Sequence, residues 1–489
     1  MINWHAMAAF AGRWYWIPTL LVYVGVIITI LSENRNPSKS LAYILVIIFL
    51  PVIGLLIYFF VGRKPAFKKR AFDRKRLMDR EKMEEYYAQL KPKMEERLDP
   101  LEEEIGDMAS PFRYLNNQNQ SLITTGNSQT LLTNGEEMFP ALFAALENAR
   151  FHIHIEYYIF TSDDVGNRIA DILISKQKAG VEIRVIVDAE GSNHIKKLPK
   201  RFKEAGIQFL TNLPVAFNSL ANSNYRDHRK IAIIDGSIGF IGGINLDERY
   251  WNNGKHGLYW RDTAVRIEGP AVNLLQVQFF LSWYFAGGKN EFGDLNNYFK
   301  IQPQKKGNGV VAIAASGPSS EVAYILETIL LALGQAKKSI RICTPYFIPP
   351  DELTSALVIA AANGVEVELI LPARSDSFAV QHASFSFIKP LLQRGVKIYL
   401  YEKGFIHAKT ISIDGTLAFI GTVNMDTRSF HLNFEITSII HEPGLCTEME
   451  DSFATDKQNS RLVTLEQWQS RPVFQRGLDS VCRLLAALL

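Results

Sequence analysis

His228-Arg-Lys230-Ile-Ala-Ile-Ile-Asp235-Gly-Ser-Ile-Gly-Phe-Ile-Gly242-Gly-Ile-Asn245 recurs later in the chain as His407-Ala-Lys409-Thr-Ile-Ser-Ile-Asp414-Gly-Thr-Leu-Ala-Phe-Ile-Gly421-Thr-Val-Asn424. The two stretches align without a gap and are identical at 9 of 18 positions. Each reads as a β-hairpin, with an apolar run after the lysine, an Asp-Gly turn and an apolar run back. Alternate side chains of a strand share a face, so His228 and Lys230 point the same way, as do His407 and Lys409. A hairpin needs neither residue to fold. Their recurrence at one spacing asks for chemistry.

The chemistry that fits is transfer at a phosphodiester. One imidazole is a nucleophile near neutral pH, and a second can act as general acid and then as base. Two lysines can hold phosphate oxygens and stabilise the charge that builds during attack. Asn245, Asn424, Thr422 and the backbone at Gly243 are expected to bind the substrate. No metal and no cofactor is expected, because the cations supply the electrostatics.

The repeat extends beyond the hairpins. Ala149–Ile155 parallels Ala336–Ile342, and Gly180–Asp188 parallels Gly364–Pro372. Between them lie helix-compatible stretches, Val165–Ala179 and Leu353–Asn363. Strand, helix, strand is a βαβ unit and implies parallel pairing. Further strands at Gly206–Leu210 and Gly395–Leu400 precede each hairpin. The chain therefore holds two homologous α/β halves, about 115–300 and 301–489, sharing one site where they meet. A length of 489 residues permits this, and the net charge of +3 does not announce nucleic acid. Cys343, Cys446 and Cys482 have neither metal-ligand nor disulfide spacing.

Ahead of the halves, Trp14–Leu31 and Leu41–Val61 carry no charge. Each is near the ~20 residues that span a bilayer as helix. Trp14, Tyr15 and Trp16 sit where an interfacial belt would be, and Ser32–Ser40 is a short polar connection. Residues 1–62 thus read as a transmembrane helical hairpin. Eight Lys and Arg residues between Arg63 and Arg76, against Arg35 and Lys39 in the connection, place the catalytic part in the cytoplasm. The same basic run also suits anionic lipid headgroups. Residues 63–114 read as a basic juxtamembrane and helical linker, interrupted by Pro92 and Pro100.

HxKxxxxD followed by a Gly-rich turn and Asn, present twice, resembles the motif of the phospholipase D superfamily. The resemblance implies a duplicated α/β sandwich and counts Asp235 and Asp414 with the catalytic residues. Both precede Gly at a tight turn, so holding the hairpin is the role expected of them here. It also implies an acidic residue beyond each histidine that orients its back nitrogen. Asp262 is paired in this reading with His228, and Glu435 with His407. His228 is taken by resemblance as nucleophile and His407 as acid/base, although the residues themselves do not break that symmetry. Glu156, in an apolar aromatic strand, is either a buried partner of the site or an edge residue.

The membrane hairpin, the basic stretch, Glu156-Tyr-Tyr-Ile-Phe160 and the run Asn424–Glu435 are together similar to the bacterial cardiolipin synthase family. That similarity implies an inner-membrane enzyme with phosphatidylglycerol and cardiolipin as its lipids and no nucleic acid partner. Self-association is left open. A hydrolytic phospholipase D and a non-catalytic membrane scaffold are the alternative readings. Leu213–Leu220 and Ser377–Ile388 are expected as apolar loops near the site. The C-terminal Val481–Leu489 is expected as a helix packed on the domain, being too short to span.

Overall fold

The structure is a computed structural model that describes residues 16–32, 37–58, 98–213, 225–288, 297–299 and 305–484. These residues divide into two units, one of 16–32 with 37–58, the other of the remaining described residues.

The smaller unit contains helices α1 (Trp16–Ser32), α2 (Pro37–Phe49) and α3 (Pro51–Ile57). Pro51 lacks the N–H that would continue α2, and it opens α3 instead. The second apolar run is therefore two helices of 13 and 7 residues where one span was expected. Ile30, Ile47 and Tyr58 pack together, while Leu21, Ile28, Phe49 and Val52 stay exposed. No helix among the described residues is long and apolar enough to cross a membrane. Trp14, Tyr15 and the basic run Arg63–Arg76 lie outside the described residues.

In the larger unit the first half supplies β1 (Thr124–Thr133), β2 (His152–Tyr157), β3 (Glu182–Asp188) and β4 (Gln208–Asn212). It continues with β5 (Lys230–Ile234), β6 (Ile238–Gly242), the short β7 (Trp260–Arg261) and β8 (Thr263–Glu268). The second half supplies β9 (Gly309–Ser316), β10 (Ser339–Cys343), β11 (Phe347–Ile348), β12 (Glu366–Pro372), β13 (Lys397–Tyr401) and β14 (Phe405–Ile406). After these come β15 (Thr410–Ile413), β16 (Leu417–Gly421), β17 (Met425–Asp426), β18 (Glu435–His441) and β19 (Ser460–Val463).

Fifteen of these strands form one sheet in the order β19-β13-β12-β10-β15-β16-β18-β9-β1-β8-β6-β5-β2-β3-β4. From the β9–β1 seam outward, each half repeats the other strand for strand, and β19 is added at one edge. The pairs β2–β3 and β10–β12 are parallel, as the βαβ reading requires. Their crossovers run through the helices Asp164–Lys178 and Asp351–Ala362. Both hairpins are antiparallel. Asp235 and Gly236 have φ of 55° and 59°, and Asp414 and Gly415 have 56° and 62°. Two consecutive left-handed residues make the tight turn between Ile234 and Ile238, and between Ile413 and Leu417.

Helices cover both faces of the sheet. Ala232 and Ile234 pack among Phe139, Leu142 and Ile169 on one side; Ile231 and Ile233 pack with Val272, Leu275 and Phe279 on the other. The latter core continues under the second half through Ile313, Ile420 and Ile436, so the halves share one apolar layer.

Two local expectations change, and that of a packed C-terminal helix holds for the described residues. Pro100 lies in the first turn of the helix Leu98–Ile105 and does not interrupt it, since proline is tolerated there. Ser377–Ile388 is not a loop: Ser377 caps a helix over Phe378–Ser386, and Ala383 and Ile388 enter the core. Val481 belongs to the helix Val473–Leu484, in which Cys482 is buried. Residues 214–220 and 485–489 lie outside the described residues.

Candidate active site

Two short strand contacts between the halves position the site. β7 runs parallel to β14, with Trp260 beside Phe405 and Arg261 beside Ile406. The repeat-related bridge sets Asp227 beside Phe434. His407 N donates to Arg261 O at 2.7 Å, and His228 N donates to Phe434 O at 2.9 Å. The segment leading into each histidine thus lies against the segment leading into the other half's carboxylate.

The histidine pairs are therefore crossed. His228 Nδ1 is 2.9 Å from Glu435 Oε1 and 3.0 Å from Oε2. His407 Nδ1 is 2.7 Å from Asp262 Oδ2. This corrects the expectation that Asp262 serves His228 and Glu435 serves His407. Sequence order places each carboxylate after its own hairpin, but the strand contacts deliver it to the partner hairpin. With Nδ1 held by a carboxylate, Nε2 is the nitrogen left for chemistry.

The lysines lie on the same faces as their histidines, both buried. Lys230 Nζ donates to His228 O at 2.7 Å, and Lys409 Nζ donates to His407 O at 2.5 Å. Asn245 Nδ2 donates to the Tyr250 hydroxyl at 2.8 Å, and its Oδ1 accepts from Ile159 N at 3.2 Å. Asn424 is buried, and its Oδ1 has no hydrogen-bond partner among the described residues.

Two of the residues expected to bind substrate lie against the carboxylates. Thr422 Oγ1 donates to Glu435 Oε2 at 2.5 Å and accepts from Ile436 N at 3.0 Å. Gly243 occupies the equivalent position in the first half, where a Cβ would lie 2.1 Å from Asp262 Oδ1. The motif aspartates stand at the far end of the hairpins. Asp235 accepts from the backbone N of Arg150, Phe151 and His152 at 2.7–3.0 Å. Asp414 does the same for Lys337, Lys338 and Ser339. They tie turn to strand, the role expected of them, and at ~3.3 Å per residue the strand carries them away from the imidazoles.

Burial sets the protonation states. It lowers Lys230 to about 7 and Lys409 to about 8, against attraction from Glu435 and Asp262. It raises Asp262 to about 6. Burial also pushes Glu435 up, but the charges of His228 and Lys230 and the His228 and Thr422 hydrogen bonds outweigh it and hold this carboxylate below its ordinary range. His228 is lowered by burial, with Glu435 opposing. His407 is pushed much further down by burial, with Lys409, Lys230 and His228 adding to it. Mutual influence of the four cationic groups makes this one site.

Residue patterns along the chain did not reveal what lies behind the histidines. Arg229 pairs with Glu156 at 3.1 Å, donates to Ser282 Oγ and lies 5.0 Å over the Phe434 ring. Glu156 is thus a buried partner, and burial raises its pKa well above the carboxylate range. In the second half the repeat puts Ala408 at the Arg229 position and Cys343 at the Glu156 position. Arg261, from the position repeated by Phe434, fills that place. It pairs with Asp456 at 2.8 Å and donates to Asp262 O and Thr263 Oγ1. The arginine has changed strands between the halves, a substitution that only three-dimensional alignment exposes.

Two histidine–lysine pairs facing crossed carboxylates on a duplicated α/β sheet define a phospholipase D-like enzyme. Residues 142–279 and 329–457 match the family described as cardiolipin synthase, PLD-like domain, and residues 20–63 match phospholipase D-nuclease N-terminal. The chain belongs to this cardiolipin synthase family. It is 37% identical over 474 residues to a cardiolipin synthase of Alkalihalophilus pseudofirmus, covering 96% of this chain and 92% of the relative. It is 38% identical over 480 residues to cardiolipin synthase 1 of Bacillus anthracis, with the same coverage of 96% and 92%. The fold is similar to that of a phosphatidylserine synthase from Haemophilus influenzae Rd KW20, with a TM-score of 0.60 at 15% identity. That match covers 78% of this chain and all of the other.

Proposed function

We propose that this chain transfers a phosphatidyl group from one phosphatidylglycerol to another, giving cardiolipin and glycerol through a phosphohistidine. The crossed histidine–carboxylate pairs carry the reading, because each holds Nδ1 and leaves Nε2 for chemistry, with a lysine on the same strand face. One histidine attacks phosphorus, and the P–O bond to the headgroup glycerol breaks. The other histidine gives its proton to the departing oxygen. It then takes the proton of a hydroxyl on the second phosphatidylglycerol, whose oxygen forms the new P–O bond as the N–P bond breaks. The diester broken and the diester made are alike, so the exchange needs no nucleotide. Lys230 and Lys409 hold the phosphate oxygens, Asn245 and Asn424 border them, and Thr422 and Gly243 act through Glu435 and Asp262.

In this reading residues 1–62 are a membrane hairpin that brings the catalytic halves, 115–300 and 301–489, to the cytoplasmic face of a bacterial inner membrane through the linker 63–114. Support comes from the exposed Leu21, Ile28, Phe49 and Val52, and from the N-terminal family match at 20–63. Single cysteines at Asn36 and Gly287, probed with an impermeant thiol reagent in spheroplasts, test it. Labelling at Asn36 alone fits; labelling at Gly287 without lysis refutes the orientation.

Lipid product analysis tests the reaction. Purified protein in detergent with phosphatidylglycerol alone should yield cardiolipin and glycerol, and His228→Ala should yield neither. Phosphatidic acid as main product would instead make the chain a hydrolase.

A further inference from the structure

The repeat relates Tyr250 to Ser429, Trp260 to Asn433 and Phe405 to Arg226, each pair standing at one offset from its motif Asn, carboxylate or histidine. The first set surrounds His407. The Tyr250, Trp260 and Phe405 rings are centred 5.8, 5.7 and 5.7 Å from its imidazole. The Tyr250 hydroxyl links Asn245 Nδ2 to His407 Nδ1, at 2.8 and 3.3 Å.

The second set is polar. Ser429 has no ring to extend toward His228. Arg226 lies buried against Asp188 and Glu190. Asn433 Nδ2 donates to Glu435 Oε1 at 3.3 Å. Among the described residues Asn424 Oδ1 and Asn433 Oδ1 have no hydrogen-bond partner, on residues only 4% and 7% exposed. In the first half the acceptor equivalent to Asn424 Oδ1 is satisfied by Ile159 N. Tyr158, with its ring 4.9 Å from the imidazole, is the aromatic neighbour on this side.

Buried acceptors without donors are costly, and a ligand that satisfies them must bring donors. A glycerol headgroup carries free hydroxyls, whereas acyl chains carry none. We propose that Asn424, Asn433 and Ser429 form the subsite for the alcohol headgroup, so that alcohol leaves and enters beside His228. The proposal rests on the phosphatidyl-transfer reading and deepens it. Attacking and leaving groups at phosphorus lie in line, so the nucleophile stands opposite the alcohol. His407 is then the nucleophile and His228 the acid/base, the reverse of the order taken from resemblance.

The step balances. His407 Nε2 forms the N–P bond, the P–O bond to the headgroup breaks, and the His228 imidazolium proton passes to the departing oxygen. Return of the proton to His228 from the second alcohol reverses the sequence. Burial lowers both imidazoles, but ionised Glu435 opposes it at His228, whereas the deeper depression of His407 keeps that ring neutral for attack. Aromatic walls around His407 exclude water from the N–P bond.

A phosphatidyl-p-nitrophenol substrate tests the assignment, because its leaving group needs no acid. His228→Ala should release a burst of one p-nitrophenol per site and retain a phosphatidyl adduct on the peptide containing His407. His407→Ala should give no burst. A burst in His407→Ala with the adduct on His228 overturns the assignment. For the subsite, Asn433→Leu and Ser429→Tyr should raise the KM for phosphatidylglycerol about tenfold or more and divert product toward phosphatidic acid. Asn433→Ser, which keeps an acceptor, should recover part of both. Unchanged KM and product ratio in Asn433→Leu and Ser429→Tyr overturn the subsite. Wild-type protein that makes only phosphatidic acid defeats the transfer reading separately, since the burst still reports the nucleophile.

Discussion

Glu435 reaches His228 with the Thr422 hydroxyl bonded to its second oxygen, whereas Asp262 reaches His407 across a glycine. The longer carboxylate has a side chain to brace it. The shorter one fills the room that Gly243 leaves and takes a bond from Thr263 N at 2.7 Å. The two halves thus solve one task with different pairs, Thr with Glu and Gly with Asp. The electrostatic outcomes differ as well: Glu435 stays below its ordinary range, while Asp262 is pushed up to about 6. The comparison teaches that the duplicated backbone sets where a carboxylate strand runs. The residue opposite then sets how far the carboxylate must reach and how firmly it is ionised.

The largest effects should come from neutralising the carboxylates. Glu435→Gln and Asp262→Asn should each lower kcat about 10⁴-fold, because the amide no longer holds the imidazole in its working tautomer. Steady-state rates in mixed micelles measure this, and a loss under tenfold in either would break the equivalence of the pairs. Swapping the opposing residues comes next. Gly243→Thr should displace the Asp262 carboxylate and cost about 10²-fold in kcat, whereas Thr422→Gly removes one hydrogen bond and should cost about tenfold. Equal losses would show that the two positions do the same work.

The lysines sharpen the comparison through pH. A lysine lowered to about 7 or 8 is neutral above that value and cannot hold an anionic phosphate. KM for phosphatidylglycerol should therefore rise with pH, beginning near 7 for Lys230 and near 8 for Lys409, by up to about tenfold per unit for each group. A flat KM from pH 6 to 9 would contradict these protonation states. The smallest effect on catalysis should be at the hairpin turns. Asp235→Ala and Asp414→Ala should each lose about 1.5–3 kcal/mol of stability, read from the urea midpoint, with kcat kept within a few fold. A large kcat loss without destabilisation would return these aspartates to the chemistry.

Much of this architecture was legible along the chain. The Asp-Gly pairs at 235 and 414 carry their turn chemistry in the residues themselves, and the His-x-Lys spacing places both side chains on one face by strand geometry alone. The βαβ units followed from local alternation and from Gly180 and Gly364 ahead of the second strands. The helix at Phe378–Ser386 was missed because an apolar run without clear periodicity does not separate helix from loop. The arginine that stands just before strand β5 in one half and in β7 in the other escaped notice because no local pattern links Arg229 to Arg261.

By itself the sequence determined the duplicated halves, the hairpins, the candidate histidine–lysine pairs and the candidate carboxylates, since each depends on neighbours a few residues apart. The tertiary structure alone decided which carboxylate serves which histidine and which neighbours each imidazole meets. Those outcomes depend on the β7–β14 ladder and the Asp227–Phe434 bridge, contacts between segments more than a hundred residues apart. Chain order runs from each histidine to the acid of its own half, but hydrogen-bond geometry between the halves connects it to the acid of the other.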